Sequence, residues 1–436
     1  MAESYFPRWT EKTSGVVMPE ERLPMGQTIV AGLQHVVAMF GATVLAPILM
    51  GFDPNVAILF SGIATLIFFV VTGGRLPSYL GSSFAFIGPV LAAIGAGAAA
   101  GTAPNIGVAL GGIIAAGALY TLIGFAVMAA GHAWVEKVMP PVVTGAIVAA
   151  IGLVLAPIAI SMASGTGPNN AEGSAFSRWI AIVTVVAVAL YAVYAPGLWR
   201  RLPILLGAVT GYVVYLVLAN GLGLGAPIDF SKVAAAPLIG LPNFSAPVFD
   251  AKAIVLIAPV AIILVAENLG HIKGIAAMTG RNLDPLIGRA FVGDGIATML
   301  SGSAGGTGVT TYAENMGVMA VTRIFSTLMF VVAALIAILL GFSPKFGALI
   351  LTIPVPVLGG LAIVVFGLIA ATAGRIWVEN KVDFSNPRNL ITVAVALVLG
   401  AGNFKLTIAG FTLDGIGTAT FGAIILYHLM RDPTPD

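Results

Sequence analysis

Apolar residues along this chain come in runs of about twenty, separated by short stretches of glycine, proline or charge. A helix needs about twenty such residues to cross the hydrocarbon core of a bilayer. The punctuation predicts fourteen segments, at 26–50, 55–73, 79–98, 105–131, 139–160, 178–196, 202–222, 251–271, 288–303, 307–319, 321–341, 346–372, 389–402 and 411–430. The runs lack the strict alternation of a membrane β-strand, so the pattern predicts helices and not a barrel. Two segments are poor helices. Residues 77–89 read PSYLGSSFAFIGP and residues 302–317 read GSAGGTGVTTYAENMG, and glycine, serine and β-branched threonine form helix weakly. Unwound backbone at membrane depth is tolerated only inside protein or along a cavity, because lipid leaves its N–H and C=O groups unsatisfied.

The longest polar stretch, 223–250, divides the chain into two halves of seven segments. Counted from 26 and 251, Gly81-Ser82-Ser83 lies 55 residues into the first half and Gly305-Gly306-Thr307 lies 54 into the second. Met139-Pro140-Pro141-Val142-Val143-Thr144-Gly145-Ala146 resembles Ile353-Pro354-Val355-Pro356-Val357-Leu358-Gly359-Gly360, at offsets 113 and 102. Seven is odd, so two such repeats have opposite orientations in a membrane, as in many secondary transporters. Interrupted segments at matched positions of the two halves point to a substrate site at the midplane. The remaining glycines read as close helix contacts.

Composition narrows the class further. Hydrophobic residues make up 58% and charged residues 9%, against about 25% charged in soluble domains. The absence of cysteine excludes disulfides, thiolate metal sites, c-type haem and a cysteine nucleophile. Four histidines, His35, His132, His271 and His428, form no metal-ligand cluster, and the net charge of +2 leaves no basic face for nucleic acid. The first 25 residues carry acids and prolines and no apolar core of a signal peptide. Of 20 Lys and Arg, the fourteen-segment reading puts Arg178, Lys232, Lys252, Lys345 and Lys405 on one side and the other fifteen on the other. That asymmetry places both termini in the cytoplasm.

Ionisable groups inside spans mark the chemistry. Glu267 and His271 lie four apart, on one helix face, in AIILVAENLGHIK. Glu314 and Asn315 follow Tyr312 in the tenth segment, Gln34 and His35 lie midway along the first, and Asp294 midway along the ninth. An acid at a helix centre costs about 2.5–3.5 kcal/mol on insertion scales, so these carboxyls are expected to face the protein interior. His271 reads either as a site residue or as an interfacial helix-end histidine. His35 either touches a ligand or braces the site, and Asp294, between Gly293 and Gly295, reads as a partner for a neighbouring helix. His132 and His428 read as interfacial. The Glu267–His271 spacing is not that of zinc proteases, and the glycines at 221–225 and 302–308 lack the strand–turn–helix setting of nucleotide loops.

At these residues a resemblance emerges. Glu314-Asn315-Met316-Gly317-Val318-Met319-Ala320-Val321-Thr322-Arg323 fits the signature [Q/E/P]-N-x-G-x-x-x-x-T-[R/K/G] of the nucleobase–ascorbate (nucleobase:cation symporter-2) transporters, and Gln34-His35 fits their first-span motif. GSSFAF at 81–86, AENLGH at 266–271, SGVVMPEERLP near the start and GRIWVENKVD at 374–383 resemble bacterial uracil permeases and those of the Rut pyrimidine type. The resemblance runs from about Leu23 to the last span.

It implies an all-α polytopic membrane protein of fourteen segments in a seven-plus-seven inverted repeat, with short strands in segments three and ten. A core domain would comprise 26–131 and 251–341, and a gate domain 132–222 and 342–430. Residues 1–25 and 431–436 would be cytoplasmic tails and 223–250 an extracytoplasmic loop. The implied activity is import of uracil, or thymine, by proton symport across the bacterial cytoplasmic (inner) membrane, the core moving like an elevator against the gate. No cofactor is implied; the partners are the nucleobase, a proton, the bilayer and a second copy bound through the gate domain. By motif match, Phe84, Glu267, Ala313 and Glu314 meet the base, with Ala85 and Tyr312 beside them. Ser83, Gln34, His35, Asp294, Asn315, Thr322 and Arg323 stand behind.

Uracil offers two N–H donors and two carbonyl acceptors, which suit two carboxyl groups and freed backbone N–H groups near Phe84–Ala85 and Ala313–Glu314. A carboxyl removed from water takes up a proton more readily than one in water, which makes Glu267, with His271 and Glu314, the expected proton carrier. Two alternatives stand beside this reading: a xanthine or urate permease, disfavoured by Glu at 314, and an anion exchanger or channel of the same architecture, disfavoured by the two carboxyls.

Overall fold

Prolines and glycines set the ends of the helices. In the computed structural model, which describes residues 5–99, 105–166, 172–197, 199–408 and 411–430, α1 (Met25–Met50) starts behind Pro24 and stops at Gly51, whose φ of 78° is left-handed. Asp53 caps α2 (Pro54–Val71), accepting from the Asn55 N–H at 2.7 Å, and Pro54 takes the first-turn position whose N–H needs no partner. The first half continues through α3 (Ile87–Ala99), α4 (Ile106–Ala130), α5 (Pro141–Ser164), α6 (Ala175–Tyr194) and α7 (Pro203–Leu216). The second runs through α8 (Val260–Thr279), α9 (Ile287–Ser303), α10 (Ala313–Thr322), α11 (Thr327–Gly341), α12 (Val355–Glu379), α13 (Pro387–Ala401) and α14 (Gly415–Leu429). The C-terminal tail 431–436, with Arg431, lies outside the described residues.

The expected fourteen segments are not fourteen equal spans. Among the described residues eight helices are long and apolar enough to cross a membrane, or nine if α11 and the short helix Pro344–Ile350, bent by 87°, count as one. The boundaries at 321–341 and 346–372 are corrected accordingly. Pro344–Ile350 turns back from α11, and α12 begins only after Pro354, which cannot continue a helix from the residues before it. The segment at 251–271 extends to Thr279, broken near Pro259 between Ala251–Ile257 and α8. Helix α9, the home of Asp294, has 17 residues and is not among the eight.

Packing between the halves follows a reciprocal plan. The largest contacts join α5 with α12 and α4 with α9, and others join α2 with α11, α6 with α7 and α13 with α14. Numbering the segments within each half, the fourth-on-second contact of α4 with α9 has its counterpart in α2 with α11. Small residues allow the approach: a Cβ on Gly117 of α4 would sit 2.7 Å from the Gly295 carbonyl of α9.

Two elements depart from helix where the sequence does. Strand β3 (Leu80–Ser82) pairs antiparallel with β4 (Val309–Thr311), with Gly81 opposite Thr310. The numbering leaves β1 (Thr10–Glu11) and β2 (Glu21–Arg22) to the N-terminal segment, expected as a tail but folded across one end of the bundle. There Val17 N–H donates to the Arg323 carbonyl at 3.0 Å, Trp9 Nε1 donates to Thr327 Oγ1 at 3.0 Å, and Glu20 pairs with Arg281.

The β3–β4 pair has no room for a side chain at Gly81, where a Cβ would lie 2.5 Å from the Tyr312 ring. Gly81→Val is expected to destabilise the protein by about 1–3 kcal/mol, the usual range for overpacking. An unchanged thermal-unfolding midpoint in detergent would show that Tyr312 can move aside.

Candidate functional site

The strand pair satisfies part of the unwound backbone and leaves the adjoining helix starts at a cavity. Beyond the three paired positions, Ser83 N–H donates to the Gly308 carbonyl at 2.9 Å and Tyr312 N–H to the Tyr79 carbonyl at 3.0 Å. The chain then turns into helix on both sides: the short turn Phe84–Phe86 leads into α3, and α10 begins at Ala313. First-turn N–H groups have no carbonyl of their own helix to bond, and together they give each helix start a partial positive charge. Ser83 Oγ accepts from the Ala85 N–H at 3.3 Å. Tyr312, at the cap position of α10, makes no side-chain cap bond.

These starts border a cavity of about 310 Å³, whose lining includes Ser83, Phe84, Ala85, Glu267, His271, Ala313 and Glu314. Glu267 and Glu314 are both half-buried and line this one space. Glu267 Oε2 and Thr310 Oγ1 are buried and receive no hydrogen bond from the described residues. Phe84 is held edge-on against Phe366 of α12, with ring centroids 5.6 Å apart at 82°. Val148 and Ile151 of α5 and Val365 and Ile369 of α12 form the apolar wall opposite. The cavity reaches the surface past Met278, Arg375 and Glu379, at the end where Arg281 meets the N-terminal segment.

His271 is no interfacial helix-end residue, since α8 continues for two more turns to Thr279. Its Nδ1 lies 2.8 Å from Thr311 Oγ1, and Thr311 Oγ1 donates to Asn268 Oδ1 at 3.3 Å. Asn268 Nδ2 donates to Asp294 Oδ2 at 2.8 Å and to the Tyr120 hydroxyl at 2.9 Å, and Tyr120 donates to the Leu264 carbonyl. With both Asn268 N–H groups engaged, its Oδ1 is the acceptor for Thr311. The His271 ring proton is thereby assigned to Nδ1, leaving Nε2 an acceptor. Asp294 is fully buried and reaches the cavity only through this chain. Its role as a partner of a neighbouring helix is the one its burial allows.

Other expected site residues lie elsewhere. Asn315 Nδ2 donates to His35 Nδ1 at 2.9 Å and to the His35 carbonyl at 3.0 Å, so His35 braces the start of α10 from α1. Tyr312 borders the cavity, but its hydroxyl is committed to strand β3 and α1: it donates to the Ser82 carbonyl at 3.0 Å and accepts from Thr43 at 3.1 Å. Gln34 opens with Leu23 and Thr322 onto a separate groove. Thr322 and Arg323 close the far end of α10, Arg323 in left-handed conformation with φ 55°. Eight residues of helix, about 12 Å, separate Glu314 from Thr322. Asn268, Tyr120 and Thr311 were not singled out by the sequence reading. Asn268 stands next to Glu267 and one turn before residue 272, so a polar residue inside an apolar span was the available signal.

Residues 26–409 match the family described as the Permease family. The putative pyrimidine permease RutG of Escherichia coli K12 is 62% identical over 434 residues, 99% of this chain and 96% of that protein. A uracil permease of Paenibacillus larvae is 42% identical over 416 residues, covering 94% of this chain and 96% of its own. The transmembrane domain of the cyanobacterial bicarbonate transporter BicA shares the fold, with a TM-score of 0.65 at 17% identity over 92% of this chain and 97% of that one.

Removing the Asn268 amide leaves Asp294 buried without its donor. Asn268→Ala is expected to cost about 1–3 kcal/mol, the penalty of an unmet buried polar group, read as a lowered unfolding midpoint. Stability equal to the parent would mean that the chain from Asp294 to His271 holds nothing together.

Proposed function

The chain belongs to the permease family, and from that premise we propose that it imports uracil, with thymine as a second substrate, by proton symport. It is a multi-pass membrane permease and not an enzyme. The named activities of its relatives support a nucleobase substrate. The observation that carries the specific reading is that Glu267 and Glu314 line one small cavity, with Glu267 Oε2 unmet. At about 310 Å³ the space is at the lower end of ligand sites, which run from about 300 to 1,000 Å³, and suits a single-ring base.

In this reading the two carboxyls take the base by its edges, each accepting a ring N–H. The N–H groups at the start of α10, on Ala313 and Glu314, and that of Phe84 donate to the carbonyl oxygens. The Ala85 N–H is already taken by Ser83, which moves that expected contact one residue back. Phe84 covers the ring face; such stacking is worth about 1–3 kcal/mol elsewhere. Two carboxylates in one small, poorly hydrated space repel each other, and one proton relieves that repulsion. Proton and base then favour each other's binding, and the linkage is reciprocal. Glu267 is the proposed carrier, with the free His271 Nε2 one turn away.

The mirrored contacts, α4 on α9 with α2 on α11 and β3 on β4, support fourteen segments in an inverted seven-plus-seven repeat. The core would be 26–131 with 251–341 and the gate 132–222 with 342–430, the core sliding against the gate. The contact of Phe84, on the proposed core, with Phe366, on the proposed gate, supports a base held between the moving parts. The Lys and Arg asymmetry supports a cytoplasmic N-terminus, so the cavity opens inward in the bacterial inner membrane. A second copy would join through the gate helices, where Trp179, Ile182, Val186 and Leu190 form an exposed stripe on α6. The fold shared with a bicarbonate transporter sets no substrate by itself.

Labelled uracil should accumulate in proteoliposomes under an inward proton gradient, with thymine competing and xanthine and chloride without effect. Competition by xanthine alone would turn the assignment to purines. Glu267→Gln should lose gradient-driven accumulation, about ten-fold for each pH unit of imposed gradient if one proton is coupled, and keep uracil exchange. Full accumulation in that variant would remove Glu267 as the carrier.

A further inference from the structure

At the end of the bundle away from the cavity mouth, another carboxyl is shut into the contact between the two helix groups. Asp414 caps α14, its Oδ1 accepting from the Gly417 N–H at 2.9 Å. Its Oδ2 is buried and has no hydrogen-bond partner among the described residues. Asp414 is 6% exposed, and Oδ2 sits so close to α3 that a Cβ on Gly88 would lie 2.9 Å from it. Farther along the same helix, the Thr420 hydroxyl is likewise buried and unpartnered.

Both residues border a crevice of about 10 Å³, which is near the limit for holding one water. The opposite wall belongs to the other helix group and consists of residues such as Pro89, Pro259 and Ile263. That wall contributes no titratable group. Among the described residues Lys405, on Asp414's own side of the contact, is the charged group that acts on it. A helix cap needs one oxygen, which Asn or Ser supplies equally well. The first-turn N–H groups of Gly417, Ile416 and Asp414 itself face this carboxyl, yet Oδ2 has no hydrogen bond of its own among the described residues, and capping alone does not call for its burial.

We propose that Asp414 is a second proton site of the permease, neutral while the two helix groups are closed together at this end and ionised when they part. Closing strips water from Oδ2 and puts apolar wall in its place, so the contact closes on the protonated acid. The proton comes from water on that side and returns to it when the groups separate. Acid on that side then favours the closed contact, the arrangement in which the central cavity opens at the other end. This inference rests on the reading that the two groups move against each other.

The chain has no native cysteine, so Leu413→Cys places a single thiol at the crevice. A membrane-impermeant maleimide applied from the Asp414 side, between pH 5 and 8, would be compared in Leu413→Cys and in Leu413→Cys with Asp414→Asn. Asn keeps the cap, and an ionised Asp414 beside the thiol disfavours the thiolate and slows its reaction, so a ratio that rises with pH reports opening of the contact. That ratio is expected near one at pH 5 and to rise about three-fold or more by pH 8 as the acid ionises. A ratio flat with pH, in protein whose labelling still responds to uracil, overturns the proton site and leaves the moving groups standing. Absence of labelling at every pH, with and without uracil, overturns both.

Discussion

Three backbone pairs between β3 and β4 are the constraint on which the site depends. Peptide groups that have left a helix at membrane depth need partners, and Leu80–Ser82 and Val309–Thr311 supply them to each other. Neither segment can do so alone, since each is three residues long. Their pairing fixes where α10 and the turn at Phe84 begin, and so where free N–H groups point. Glu314 and Phe84 inherit their places from that geometry. The side chains around the strands serve the same end: Tyr312 ties β3 to α1, Asn315 ties α10 to His35, and Thr311 links β4 to Asn268.

The cavity walls divide into two chemistries. On one side are strands, helix starts and carboxyls, which can match the edges of a polar ring. On the other are the aliphatic faces of α5 and α12, which can match only its surface. Phe84 and Phe366 meet across that division. The polar half can make directional bonds and the apolar half only surface contact. The fold is shared with a bicarbonate transporter, so the fold by itself sets no ligand.

Much of this was legible in the sequence, for identifiable reasons. Long apolar runs and prolines at their starts located α1, α2, α4 and α5 closely, because lipid imposes length and proline imposes a boundary. The two Gly/Ser/Thr stretches marked where helix would be interrupted, since such residues form helix weakly, while the strands themselves were expected from the family resemblance. Glu267, Glu314 and His271 were visible as ionisable groups out of place in apolar surroundings, and Phe84 was visible only through the family motif. Other features were not legible. Gln34, Thr322 and Arg323 belong to motifs, yet the direction of a side chain on a helix depends on packing, and these point elsewhere or close a helix end. Tyr120 looks like any aromatic residue of a span until α8 and α9 are placed against it. The break after α11 is written locally in Gly341, the Ser343 cap and Pro344, but its 87° angle is not. The N-terminal segment reads as a polar tail because its order comes from partners such as Arg281 and Thr327, far along the chain.

The pairing of Gly81 with Thr310 also bears on biosynthesis. The two strands are separated by more than half of the polypeptide, and the second is synthesised long after the first has entered the membrane. Until then the edge of β3 lacks its partner, in a medium that offers none. Contacts so distant in sequence form late, and chains with unpaired edges are prone to misassembly while they wait. The nascent first half must therefore be sheltered by water, lipid headgroups or insertion machinery until residue 311 arrives, and the central cavity is among the last parts of the molecule to exist.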